Sequence, residues 1–322
     1  MGRDVSRMTN ETVLPKSAAL WGWSRFQVGA TLVLLFAGAN VTTTKSGDAV
    51  PTWPEPFWPH DPTVAAIIEL SHRYAVPMVT VAALAVAWLT RRDERSAVRK
   101  LAWIGVALVV AQASLGGIRV LLVSNGIAEN PSWIKIVHAG VAEVFFCVAV
   151  ALMTVLSPAW RAARRRDLDA SAMSVMRMAI LGTVLLFVQA MLGAFARHGV
   201  IPREVHAFFA VLVLAVTARL VLAGGFDVGA NAEEIRRPAV LLGVLAAVQI
   251  ALGLLTYFIA ATGAAPESRE AAQVVVINLH LAAGAAMLGT TLSILMRAVR
   301  VFGVPTDERV AAAERASAGS AA

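Results

Sequence analysis

The stretch at residues 67–76 reads Ile-Ile-Glu-Leu-Ser-His-Arg-Tyr-Ala-Val and stands at the start of a long apolar run. It places a carboxylate (Glu69), an imidazole (His72) and a guanidinium (Arg73) where a membrane helix normally has few polar groups. Because Glu69 and His72 are three residues apart, they share one face of a helix. Charged groups inside a bilayer are costly and therefore tend to mark functional sites. The stretch thus indicates a site built into a membrane helix.

The chain around this stretch has the composition of a membrane protein. Of its 322 residues, 58% are hydrophobic and 15% are charged. The hydrophobic residues gather in blocks of roughly 20 to 25, each long enough to cross about 30 Å of hydrocarbon. Eight spans are expected, at approximately 23–43, 64–90, 100–123, 133–156, 173–197, 204–223, 238–262 and 272–298. The sequence therefore predicts an all-α polytopic membrane protein.

The positive charge of the chain is concentrated in short loops. The net charge is +7, and dense cationic runs follow the second and fourth spans, containing Arg91, Arg92, Arg95, Arg99, Lys100, Arg161, Arg164, Arg165 and Arg166. Loops of this kind face the cytoplasm and contact anionic lipid headgroups, so they do not indicate nucleic-acid binding. Both termini are therefore expected to be cytoplasmic, in a multi-pass protein of the cell inner (plasma) membrane.

An internal repeat divides the chain. The pattern Gln-x-x-Leu-Gly occurs at 112–116, 189–193 and 249–253, each time late in an odd-numbered span, and 36–40 is a weaker echo in the first span. The glycine permits close helix approach or leaves room for a flat ligand, while the glutamine can bond across the bundle. The repetition predicts two pseudo-symmetric four-helix halves, residues 1–160 and 161–322.

Four of the six histidines enter the even-numbered spans from the outer side, one pair in each half: His72 with His138, and His206 with His280. A single membrane histidine is often a hydrogen-bonding core residue, but four at equivalent places favour a shared role as metal ligands. Zinc needs three or four protein ligands around one ion, and the lone Cys147 excludes a cysteine cluster. Two imidazoles from separate helices suit a haem iron in a bundle core.

Residues near the histidines are consistent with haem. The residues four positions after each histidine are mostly small and leave room for a porphyrin ring: Val76, Ala142, Ala210 and Gly284. Four arginines near the outer ends of the spans are candidates to pair with haem propionates: Arg73, Arg119, Arg197 and Arg203. For any one of them, reaching towards lipid headgroups is an equally good interpretation.

The two halves differ at one carboxylate. Glu69 precedes His72 by one turn, whereas the equivalent place before His206 reads Ile-Pro-Arg. A carboxylate beside one haem only suggests proton-coupled chemistry at the first site. The competing interpretation is that Glu69 is a structural partner of Arg73 or of a backbone group. Glu143, five residues beyond His138, is a second candidate with less favourable spacing.

The first outer loop, residues 44–63, is rich in proline and aromatic residues. Its prolines exclude a regular helix. Trp53, Phe57 and Trp58 suit either an aromatic belt at the membrane surface or a lid over a site. The sequence leaves these two interpretations open.

Taken together, the eight spans, the Glu-x-x-His-Arg motif, the repeated Gln-x-x-Leu-Gly and the histidine of each even span resemble the haem A synthase family. The resemblance covers about residues 25–298. The loop segments Thr42–Gly47 and Pro51–Pro54 are similar to the family's Thr-Gly-Ser-Gly and Cys-Pro-Asp-Trp-Pro. The loop cysteine pair of many members is replaced here by Ala49 and Val50. Cysteine-free members also exist in the family, so the replacement does not exclude the activity, and it leaves open whether a thiol-dependent step occurs in this chain.

The resemblance implies an enzyme that oxidises the C8 methyl group of haem O to a formyl group, giving haem A for cytochrome oxidases. His72 and His138 would hold the substrate haem O, with Glu69 as the catalytic carboxylate. His206 and His280 would hold a haem b cofactor. Haem O synthase, cytochrome oxidase assembly factors and membrane lipid are the expected partners, and a homo-oligomer is left open.

The alternative function is a non-catalytic di-haem b electron carrier. Such a carrier normally places its haems on opposite sides of the bilayer to move charge across it. All four histidines are expected in the outer half, which argues against conduction across the membrane.

Overall fold

The computed structural model describes residues 13–54, 59–129, 131–228, 232–263 and 269–304, and the described residues form helices without a strand. The long helices are α1 (Val13–Thr43), α2 (Val64–Thr90), α3 (Ser96–Ser124), α4 (Ser132–Leu156), α5 (Ala170–Arg197), α6 (Arg203–Leu222), α7 (Glu233–Ala261) and α8 (Ala271–Phe302). All eight contain a segment long and apolar enough to cross a membrane. The prediction of an all-α, eight-span protein is confirmed.

Helix ends extend beyond the hydrophobic blocks. α1 begins at Val13 and α7 at Glu233, before the predicted starts at 23 and 238. Hydropathy marks only the part of a helix that suits lipid, whereas backbone hydrogen bonds continue into the polar flanks. A five-residue helix, Pro158–Ala162, follows α4, and a π-helical turn, Ala223–Asp227, extends α6; neither was expected.

The helices pack as two rings of four. In the first ring, α1 and α3 each pack against α2 and α4; in the second, α5 and α7 each pack against α6 and α8. The rings meet where α8 packs against α1 and α4, and where α4 packs against α5. This arrangement is compatible with two halves, while their pseudo-symmetry and the cytoplasmic position of the termini stay predictions.

The packed core lies at one end of each ring, here called the inner end, which contains the α2–α3 and α4–α5 connections. In the first ring it includes Val86, Ala102 and Leu152, and in the second Met176 and Ile294. The opposite, outer end contains the α1–α2 and α3–α4 connections. The hydrophobic core is therefore densest away from the ends at which the four histidines enter.

The contact between the rings depends on one glycine. A Cβ atom at Gly289 of α8 would lie 2.9 Å from Cε1 of Phe146 and 3.0 Å from Cγ2 of Val150, both on α4. Small residues let membrane helices approach this closely. We expect Gly289→Leu to lower the free energy of unfolding by about 1–3 kcal/mol through overpacking. Thermal unfolding in detergent measures this, with Gly29→Leu as control, since a Cβ there meets nothing within 4 Å. Equal midpoints for the two variants would contradict it.

Candidate functional site

Each of the four membrane histidines lies against a glycine of the preceding helix. A Cβ atom built on that glycine would approach Cε1 of the imidazole to 3.0 Å (Gly38–His72), 3.6 Å (Gly116–His138), 3.1 Å (Gly193–His206) and 3.1 Å (Gly253–His280). Three of these glycines end the Gln-x-x-Leu-Gly repeat, and Gly38 completes the set in α1. The repeat therefore keeps side chains away from four imidazoles.

A backbone carbonyl orients the ring of His206. His206 donates a hydrogen bond from Nδ1 to the carbonyl of Gln189 at 3.1 Å. The carbonyls of Leu34 and Gln249 lie near His72 and His280, but Nδ1 of neither ring has a hydrogen-bond partner in the described part of the chain. Each of these carbonyls lies four residues before the contacting glycine. A ring whose Nδ1–H is held by a carbonyl keeps Nε2 as the metal-binding atom.

Along the helix face below each histidine, burial increases from the first turn to the second. The residues seven positions on are buried: Val79, Phe145, Val213 and Met287. The residues four positions on are only partly buried: Val76, Ala142, Ala210 and Gly284. Seven residues of α-helix rise about 10 Å, so each imidazole stands two turns above the core. The predicted room for a ring beside the histidines stays a prediction.

The C-terminal pair has the spacing of two ligands to one metal. The ring centroids of His206 and His280 are 6.3 Å apart and the planes are perpendicular, at 90°. Two metal–imidazole bonds of about 2 Å each, with the ring radii added, give roughly 6 Å. His72 and His138 also lie within electrostatic range of each other. Within the described ranges, no three His, Cys, Asp or Glu side chains gather as a metal site.

The glutamines of the repeat provide acceptors. The Oε1 atoms of Gln112, Gln189 and Gln249 are buried and have no hydrogen-bond partner in the described part of the chain. Leaving such an atom unpaired costs about 1–3 kcal/mol. Gln189 also donates from Nε2 to the carbonyl of His206 at 3.0 Å, so it bonds across the bundle as expected. Opposed imidazoles and flanking glycines together fit a flat, metal-bearing ligand such as haem.

Glu69 is engaged in two interactions. Its Oε2 accepts a hydrogen bond from the backbone N–H of Val50 at 2.8 Å, and its Oε1 pairs with Arg73. The residue is buried. Both contacts agree with the interpretation, left open by the sequence, that Glu69 is a structural partner of Arg73 or of a backbone group. A catalytic role for Glu69 stays a prediction.

The first outer loop is fastened to the helices of the first ring. Arg73 donates to the carbonyls of Thr52 at 2.6 Å and Val50 at 2.8 Å, and Val50 is buried against α2. The ring of Trp53 occupies the space that a Cβ atom on Gly117 of α3 would need. These contacts favour the lid over the aromatic belt. Phe57 and Trp58 lie outside the described residues.

The arginines predicted to pair with propionates have protein partners as well. Arg119 donates to the carbonyl of Gly47 and pairs with Asp48 at 2.7 Å. Arg203 pairs with Glu204 at 3.2 Å on the surface. Arg73 and Arg119 thus hold the lid, and their role towards propionates stays a prediction.

Arg197 belongs to a polar bridge between the two rings, formed by Asn40, Thr43, Arg197 and Asn278. Arg197 donates to the hydroxyl of Thr43 and to the carbonyl of Ala39, the latter at 2.8 Å. Thr43 donates to Asn278 at 2.7 Å, and Asn278 donates to Asn40 at 3.3 Å. No carboxylate pairs with Arg197 in the described ranges. Sequence reasoning missed Asn278, although an asparagine in an apolar span was a usable signal.

The outer end carries a positive potential. His198, outside the histidine pattern, follows α5 directly. Its burial and the nearby charges of Arg197, Lys135 and Arg119 lower its pKa to about 4. A lowered pKa disfavours the protonated imidazole, so His198 is neutral at pH 7. The same field stabilises anionic substituents of a ligand bound at this end.

Glu143 points away from the first site. On the same face of α4, Gly140 lies opposite Met191 of α5, with a Cβ–Sδ approach of 3.1 Å, and Cys147 packs against the core of the second ring. Residues at i, i+3 and i+4 share a helix face. Glu143 therefore faces the second ring, which weakens it as a partner of His138.

The first ring also resembles a known family in its amino-acid sequence. No curated protein matches the chain. Residues 4–150 match the COX15-CtaA family, described as cytochrome oxidase assembly protein, and this match confirms the family resemblance for the part of the chain that contains Glu69, His72 and His138.

Proposed function

We propose that the protein is a haem A synthase, a haem-dependent oxidoreductase that converts the C8 methyl of haem O to a formyl group. The observation that carries this proposal is the fourfold arrangement of one histidine against one glycine, two turns above the core. The match of residues 4–150 supports a role in cytochrome oxidase assembly, and haem A is a cofactor of that class of oxidase.

In this proposal each ring binds one haem. His72 and His138 hold the substrate haem O, and His206 and His280 hold haem b. Bound haem supplies the redox chemistry through its iron. The glycines leave space for the four imidazoles, the Gln189 carbonyl fixes Nδ1–H of His206, and the lid excludes water from the first ring.

The polar bridge sets the spacing between the two sites. Its acceptor Ala39 follows Gly38, which contacts His72. Arg197 lies one turn after Gly193, which contacts His206, and Asn278 lies two residues before His280. A buried connection between these segments keeps the sites at a fixed separation, as electron passage from one site to the other requires.

The test is the haem content of the protein. The chain is produced in cells that make haem O and have no haem A synthase of their own, and its haems are extracted and identified by mass. We expect haem A from the wild type. We expect none from His138→Ala, which retains haem b. Haem b alone in the wild type would overturn the proposed activity, and haem A formation by a His206→Ala variant without haem b would contradict the division of roles.

The second candidate is a non-catalytic di-haem b carrier. It is favoured by one observation, the engagement of the Glu69 carboxylate by Arg73 and the Val50 amide. A carrier would contain haem b in both rings whether or not the cells make haem O. The same extraction therefore separates the two functions.

The proposed activity implies partners and a location. Haem O and haem A are lipophilic, so we place the enzyme in the cell inner (plasma) membrane. Haem O synthase would supply the substrate, and cytochrome oxidase assembly factors would receive the product.

A further inference from the structure

An amphipathic groove lies at the inner end, on the lipid-facing side of the α2–α3 connection. Its volume is about 600 Å³, and it is lined by Arg91, Arg99, Lys100, Trp103, Ile104 and Ala107. The last four residues stand at positions i, i+3, i+4 and i+7 and share one face of α3. Positive charge therefore lies at the connection, and an apolar wall continues from it along the membrane-spanning part of α3.

The cations of this groove are held by neutral groups. Arg91 lies 3.7 Å over the ring of Trp88 and donates to its carbonyl at 2.7 Å. Arg99 donates to the carbonyls of Asp93 and Glu94. In the described part of the chain, no ion pair neutralises Arg91, Arg99 or Lys100. These contacts fix two guanidinium groups without cancelling their charge.

Asp93, a carboxylate of the α2–α3 connection, is already paired. Asp93 accepts two hydrogen bonds from the Arg95 guanidinium, at 2.9 Å to Oδ1 and 2.8 Å to Oδ2. Hydrogen bonds from Arg95 hold the pKa of Asp93 below its usual value. Asp93 is therefore ionised at neutral pH, and its charge offsets that of Arg95.

We propose that this groove is a binding site for an anionic phospholipid. Arg99 and Lys100 bind the phosphate, and an acyl chain lies along Trp103 and Ile104, whose exposed fractions are 53% and 49%. A basic pocket at a membrane surface, continuous with an apolar wall, has the charge and polarity that such a lipid requires. This inference does not depend on the proposed haem chemistry.

Another basic segment of the chain offers a matched control. Arg236 and Arg237 at the start of α7 both pair with Glu233, each at 2.5 Å. Their charges are partly cancelled, so they are expected to contact headgroups only transiently. Changing them removes as much positive charge as changing Arg99 and Lys100.

The test is lipid binding by the full-length protein. The protein is first delipidated and then mixed with dioleoyl-phosphatidylglycerol and dioleoyl-phosphatidylcholine at equal concentration, and native mass spectrometry measures which lipid stays bound. We expect one phosphatidylglycerol molecule to stay bound in preference to phosphatidylcholine. Arg99→Gln with Lys100→Gln should weaken that binding roughly tenfold, because each cation near a membrane surface contributes to anionic lipid binding. The Arg236→Gln, Arg237→Gln variant should bind as the wild type does.

Three results would overturn the inference: equal retention of both lipids, equal loss of binding in the two double variants, or displacement of the lipid by free glycerol phosphate at equal concentration. Trp103→Ala supplies a test that leaves every charge in place, and it should weaken retention of the lipid without changing its headgroup preference. Unchanged retention in Trp103→Ala would contradict the acyl-chain contact. A wild-type titration at about 0.1 M and 1 M salt needs no variant and should show weaker binding at high salt.

Discussion

Gly253→Leu is expected to lower haem bound at the second site by at least roughly tenfold while the first site stays occupied. The reason is steric: even a Cβ atom at this position would lie 3.1 Å from Cε1 of His280. The remaining atoms of leucine must displace the His280 ring. The centroid of the His206 ring lies 6.3 Å from that of His280, so a displaced His280 ring no longer faces His206. Overpacking of about 1.5–3 kcal/mol, the upper part of the usual range, corresponds to roughly tenfold or more in affinity.

The four glycines provide a graded series for this prediction. Alanine at Gly38, Gly193 or Gly253 should weaken haem binding, because the added Cβ lies within 3.1 Å of an imidazole. Gly116→Ala should be tolerated, since its Cβ would lie at an ordinary 3.6 Å from His138. Haem per chain and the absorbance spectrum measure the effect, and thermal unfolding identifies variants that fail to fold. Full haem content in Gly253→Leu, with an unchanged spectrum, would show that the histidine–glycine contact does not shape the site.

The helices and the histidine pairs were predictable because their signals are local or periodic. Twenty apolar residues predict a span wherever they occur, and a repeat predicts equivalent positions in each half. Gly38 was harder to recognise as part of the repeat than the other three glycines, because α1 has Leu34 in place of the glutamine. The packing of Gly38 against His72 shows that the glycine is the common element of the repeat.

The partners of the charged residues were not predictable in the same way. Glu69 bonds to Val50 across an irregular loop, and Thr43 bonds to Asn278 over 235 positions of sequence. Neither separation follows a helical period. A cation at the outer end of a span has the same sequence pattern whether its partner is a propionate, a headgroup or a loop carbonyl. Sequence reasoning singled out these residues but had no basis for choosing among the partners.

Glu69→Gln and Arg73→Gln are expected to have the same effect, the release of the lid. Each change removes one member of a buried ion pair and leaves the other uncompensated, at a cost of about 3–5 kcal/mol for a buried pair. The Val50 amide reports this directly, because its N–H donates to Glu69. Hydrogen exchange of residues 46–53 should accelerate in both variants. Asp48→Asn is the control, since its carboxylate is half exposed, pairs with an exposed partner contribute little, and Arg119 keeps its hydrogen bond to the Gly47 carbonyl.

Product formation then separates a positioning role of Glu69 from a catalytic one. If Glu69 acts by holding the lid, haem A formation should fall equally in Glu69→Gln and Arg73→Gln, in step with the faster exchange. A catalytic carboxylate predicts a different pattern: Glu69→Gln loses haem A formation and keeps its bound haem, while Arg73→Gln retains most of the activity. Slow exchange at Val50 in an inactive Glu69→Gln protein would therefore exclude the lid as the cause of the loss. Because Glu69 contacts Arg73 and the Val50 amide at once, we expect the first pattern.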